Sequence, residues 1–181
     1  MKNKIIKFLA LSILFLCIIK TYAQETAINI YYTDFISNSK FEVTYLSKDM
    51  FKVIIERNKE DLDKNLISVM KRLTSLHVAT SYKHQPDLQY NEVMKMMDTK
   101  TYSLLFTRQD EIDKISLFVK KEKDTIIEMV LIARDHVDFV ILDITGDIDL
   151  EEITILGDAL QFQGSEFLDQ MNGLGPSHHK N

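Results

Sequence analysis

Between Val137 and Glu152 the chain reads VDFVILDITGDIDLEE. Phe139, Val140, Ile141 and Leu142 are apolar without a break, so a strand built from them has no side to turn to water. Such a run belongs in the middle of a sheet with both faces covered. The chain then passes Asp143-Ile144-Thr145-Gly146 and restarts at Asp149 with the pattern of an amphipathic helix. A buried strand, a glycine turn and a capped helix are expected here. The rest of the chain must supply the neighbouring strands and the layers that cover them.

The segments around this unit are of the right kind. Phe41 to Leu46 alternates with period two and predicts a strand. Ser47 stands as N-cap to a helix whose apolar side is Met50, Phe51, Ile54 and Ile55. A second helix is predicted over about Leu62 to Arg72, with Asp61 as its cap. Leu76 to Thr80 reads as another strand. A helix started by Pro86 or Asp87 carries Tyr90, Val93, Met94 and Met97 on one side. Thr101–Arg108, Lys114–Lys121 and Thr125–Arg134 are strands joined by links too short for anything but antiparallel hairpins. With the strand at Phe139 they make a four-strand meander. The expectation is a single α+β domain: a mainly antiparallel sheet, that meander plus one or two N-terminal strands, with helices packed on one face.

The start of the chain is not part of that domain. Lys2, Lys4 and Lys7 precede an apolar stretch from Phe8 to Ile19, and Thr21-Tyr22-Ala23 places small residues before Gln24. This is the layout of a cleaved secretory signal, and a stretch of a dozen residues is short for a membrane span. Leu14-Phe15-Leu16-Cys17 is not a lipid-attachment motif, because Leu16 is large and the apolar core continues past the cysteine. The expected organisation is therefore a signal over 1–23, an N-terminal segment over 24–40, the domain over 41–160 and a tail over 161–181. Localisation follows as export to the periplasm or outer envelope, or secretion.

Removing 23 residues from 181 leaves 158, enough for one core. The only cysteine leaves with the signal, so the mature chain has no disulfide, thiol nucleophile or thiolate metal site. Four lysines leave too, taking 22 basic residues to 18 against 27 acidic ones, a net charge of −9. An acidic chain without a basic stripe is a poor ligand for nucleic acid or anionic lipid.

Some wording of the chain is specific. Ser47-Lys48-Asp49-Met50-Phe51 after a strand, Leu73-Thr74-Ser75-Leu76, and above all Phe139-Val140-Ile141-Leu142-Asp143-Ile144-Thr145-Gly146-Asp147-Ile148-Asp149-Leu150 resemble the secreted bacterial family catalogued as domain of unknown function 4252. The resemblance covers roughly Phe41 to Leu160. It implies export in Gram-negative bacteria and supplies no reaction and no site residues.

Chemistry is sparse. Asp143, Asp147, Asp149, Glu151 and Glu152 crowd one turn, and Ca²⁺ takes oxygen ligands from such loops. Gly146 precedes Asp147, however, which breaks the EF-hand register. Asp149 with Glu152 three residues on has capping-box spacing, which accounts for more of the acidity. Asp143, Asp147 and Asp149 remain weak metal candidates, and Asp143 is the one that capping does not explain. No G-x-S-x-G elbow is present. The histidines, His77, His84, His136, His178 and His179, lack metal-ligand spacing, and His77 is expected as a packing residue within its strand. Met50, Met70, Met94, Met96, Met97 and Met129 fill core gaps or form a pliable binding surface.

The expected function is a non-enzymatic, exported envelope module without cofactor, binding an envelope protein, a small ligand or a second copy. Its rivals are an envelope hydrolase or Ca²⁺-binding protein using Asp143 to Glu152, with Asp143 acting beside Asp147 or Asp149, and a regulatory sensor of envelope state. The second face of the central strand is where a partner would have most to cover.

Overall fold

The structure is a computed structural model that describes residues 41–82 and 85–160. The signal segment, residues 24–40, the tail from 161, and His84, His178 and His179 lie outside the described residues. The described elements are β1 (Phe41–Ser47), α1 (Lys48–Arg57), α2 (Lys64–Arg72), β2 (Leu73–Tyr82), α3 (Pro86–Met96), β3 (Ser103–Gln109), β4 (Lys114–Glu122), β5 (Thr125–Arg134), β6 (Asp138–Ile148) and α4 (Leu150–Leu160). Among these residues no helix is long and apolar enough to cross a membrane.

The six strands form one sheet in the order β1-β2-β6-β5-β4-β3, every neighbouring pair antiparallel. The meander from β3 to β6 is present as the short links require. β6 returns beside β2, which places the apolar run with two strands on one side and three on the other. Phe139, Val140, Ile141 and Leu142 are all buried. Burying four such side chains contributes roughly 6–12 kcal/mol before conformational entropy is subtracted.

Strand alternation divides this burial between two cores. Val140, Leu142 and Ile144 join Leu76, Val78, Leu117, Leu131 and Met129 on one face, under Phe51 of α1, Leu66, Val69 and Met70 of α2, and Ile153 and Leu156 of α4. Phe139 and Ile141 join Phe118, Val130 and Ile132 on the other, under Tyr90 and Val93 of α3 and Met97 just beyond it. The domain is α+β as expected, but its helices do not all pack on one face. The reason is parity. β4, β5 and β6 are apolar at odd and even positions alike, so both faces need cover, and α3 supplies it on the second.

The caps are local chemistry. The Ser47 hydroxyl accepts from the Met50 amide, as expected for α1. The cap of α2 is Asp63 rather than Asp61: its carboxylate accepts from the Asn65 amide at 2.7 Å, while Asp61 and Leu62 close a turn back to the Asn58 carbonyl. Met70, Met97 and Met129 are buried, whereas Met50 and Met96 are exposed.

The expected turn at Gly146 does not exist. β6 continues through it to Ile148, and Leu73, the first residue of β2, pairs with Gly146 itself. There β2 leaves α2 without a loop, and Thr74 is accommodated by a register shift between Leu73 and Ser75. Gly146 has φ +145°, and a Cβ on it would lie 2.5 Å from the Arg72 carbonyl oxygen. Glycine is needed at this position for close approach of two backbones, not to reverse the chain.

Candidate functional site

The face of the sheet that carries α3 has two unlike halves. The strand registers set its side chains in rows across the strands. Phe41, Ser81, Phe139, Arg134 and Lys114 form one row, and Val43, Ala79, Ile141, Ile132 and Ser116 the next. α3 is fastened over these two. The Tyr90 hydroxyl and the Ser116 hydroxyl are 2.7 Å apart, Ser81 donates to Gln89, and Asp87 pairs with both Arg134 and Lys114.

The third row is Tyr45, His77, Asp143, Val130 and Phe118. The fourth is Ser47, Ser75, Thr145, Glu128 and Lys120. In these rows the middle of the sheet becomes polar. Asp143 is 1 % exposed and His77, directly opposite it on β2, is 8 % exposed, while Tyr45 at the rim is 52 % exposed. The Tyr45 and His77 rings meet edge-on, with centroids 4.5 Å apart. Directly opposed residues in antiparallel strands hold their Cβ atoms about 5 Å apart, so the His77 and Asp143 side chains are neighbours. Burial lowers the pKa of His77 from its ordinary value, because the imidazolium would lose its hydration.

Polar bonds continue in the fourth row. The Ser75 and Thr145 hydroxyls are 2.7 Å apart. Tyr102, just before β3, donates to Glu128 at 2.7 Å, and Lys120 lies 3.7 Å from the other Glu128 oxygen and over the Tyr102 ring. Glu128 is as buried as the apolar residues around it. Two carboxylates, an imidazole and an ammonium group thus share one buried region, and charge in such surroundings is costly unless tightly partnered.

The sequence singled out Asp143 but not its neighbours. The other acidic candidates go elsewhere. Asp147 is exposed on β6, and Asp149 is the N-cap of α4, accepting from the Glu151 amide at 2.9 Å. The Glu152 carboxylate accepts from Arg72, so it joins α2 to α4 rather than completing a capping box. The structure does not bring Asp143, Asp147 and Asp149 together, and among the described residues no group of three His, Cys, Asp or Glu side chains is placed to hold a metal ion. His136 is exposed in the turn before β6. His77 is buried as a packing residue would be, yet its neighbours are Tyr45 and Asp143. His77, Glu128, Lys120 and Tyr102 come from three strands and a loop, and no local spacing links them; alternation within each strand was the only available signal.

No curated protein and no solved structure matches the chain. A family model does match, over residues 31–156, which takes in every strand of the sheet and most of α4. The chain therefore belongs to the family described as Domain of unknown function (DUF4252).

Proposed function

We propose that the protein is an exported, non-enzymatic binding module of the cell envelope, and that the polar rows through Tyr45, His77 and Asp143 are its binding site. The single observation behind this reading is the burial of Asp143 and His77 side by side in the two central strands. Apart from the hydroxyls of Thr80 and Ser81, the other buried side chains of those strands are apolar, and apolar side chains stabilise a sheet without the desolvation that ionisable groups incur. Groups that a fold does not need for stability are characteristic of functional sites. Export rests on the basic, apolar and small-residue order of residues 1–23. Tyr45, at the open end of the row, is the residue a partner or ligand meets first.

The test is a photo-reactive residue at Tyr45 in the full-length protein expressed in a Gram-negative host. The expected result is a processed chain in the envelope fraction that forms one discrete adduct. The same residue at Val53, exposed on α1, should form none. Equal labelling at both positions would refute the site, and retention of an unprocessed chain in the cytoplasm would refute export.

A second reading has one observation in its favour: a carboxylate opposite an imidazole is the smallest unit of acid–base catalysis. Hydrolysis of ester or phosphate substrates that disappears in Asp143→Asn would establish it.

A further inference from the structure

The helix α3 is held differently from the other three. The opposite layer is a continuous apolar seam of α1, α2 and α4, whereas α3 lies alone among the described helices on its face, burying Tyr90 and Val93, with Met94 partly buried and Met97 after it; Leu88 and Met96 face solvent. Its polar fastenings all lie in its first half, at Asp87, Gln89 and Tyr90. Asp87 carries most of the charge. One carboxylate oxygen is 2.9 Å from the Arg134 Nε and 3.6 Å from the Lys114 Nζ. The Arg134 side chain is 8 % exposed and that of Asp87 is 65 % exposed, so among the described residues a buried cation is answered by a single carboxylate at the surface. Arg134 also donates to the Ile112 carbonyl, and Lys114 sits over the Tyr90 ring.

The ends of α3 suit a hinge. Gln85 before it has φ +47° and gives the helix no side-chain cap. After it the chain turns extended at Met97 and enters a turn closed by Asp98, which accepts from Lys100 and Thr101 without using the sheet.

We propose that α3 is a hinged cover latched shut by Asp87, and that it opens as a unit while the sheet stays folded. Opening presents Phe118, Val130, Ile132, Phe139 and Ile141 to solvent. Cooperative opening of one element ahead of the whole is the expected behaviour where few apolar contacts hold it.

Amide hydrogen exchange of the full-length protein tests this. In Asp87→Asn the amides of Tyr90 to Met97 should exchange about tenfold faster, through loss of the charge that Asp87 sets against Arg134 and Lys114, while those of β5 and β6 keep their rates. High salt should speed the same amides in the wild type and add nothing in the variant, since ion pairing is already lost there. Unchanged α3 rates in Asp87→Asn would overturn the proposal. So would an equal acceleration in α3 and the central strands, which would mean that the helix opens only when the sheet does.

Discussion

Gly146→Ala isolates the most constrained point of the backbone. Its φ of +145° lies where residues with a Cβ are strained, at a cost of about 1–3 kcal/mol. The added methyl would also sit 2.5 Å from the Arg72 carbonyl oxygen, 2.7 Å from the Leu73 Cα and 3.1 Å from the Thr74 nitrogen. All three are backbone atoms, so no side chain can rotate away; overpacking of this kind costs about 1–3 kcal/mol more. The midpoint of the combined range is about 4 kcal/mol, or roughly 8–16 °C in melting temperature for a chain of this size. Thermal melts followed by circular dichroism, with urea unfolding for the free energy, give the number. Asp147→Ala, at the exposed neighbour, controls for the loss of a surface side chain and should change stability by about 0.5 kcal/mol or less. A Gly146→Ala protein that melts within about 2 °C of wild type would refute the close approach of β2 and β6 at this point.

Ile141→Ala and Leu142→Ala truncate adjacent residues on opposite faces, and urea unfolding should show each losing about 2–5 kcal/mol; a near-neutral Ile141→Ala would mean that α3 does not seal its face. The folded-state pKa of His77 is depressed, so the unfolded chain binds more protons once the pH falls below the ordinary value near 6.5. Stability contributed by neutral His77 is complete above that value and declines as the pH drops toward the folded pKa. A urea-midpoint profile should show this decline in the wild type and lack it in His77→Gln. Arg72 and Glu152 are 31 % and 39 % exposed at their side chains, so Arg72→Ala should cost only about 1 kcal/mol or less through the lost pair, and added salt should narrow the difference from wild type in the same assay.

Much of the fold was legible because the sequence signals were local. The bounds of β5 could be read directly from its alternation and flanking turns, and the apolar run from Phe139 to Leu142 required a central strand. What could not be read depends on partners distant in sequence. Gly146 carries the usual mark of a turn, and only the entry of β2 beside it shows that it marks a contact. The side taken by α3 was hidden because a strand apolar on both faces does not say which helix covers which. The site was legible at Asp143 alone: an acid after four apolar residues is conspicuous, whereas His77 lies 66 positions earlier and meets it only through the β2–β6 register.

The most direct measurement of the central claim is the urea midpoint of the double variant His77→Leu/Asp143→Val, taken together with its Tyr45 adduct. Replacing a buried polar pair with apolar residues of similar size is commonly neutral or stabilising by about 1–4 kcal/mol, because no charge is left behind. If the row exists for binding, the double variant keeps or raises the wild-type midpoint and loses the adduct. A fall of about 3 kcal/mol or more with the adduct retained would show that His77 and Asp143 hold the sheet together and that binding lies elsewhere.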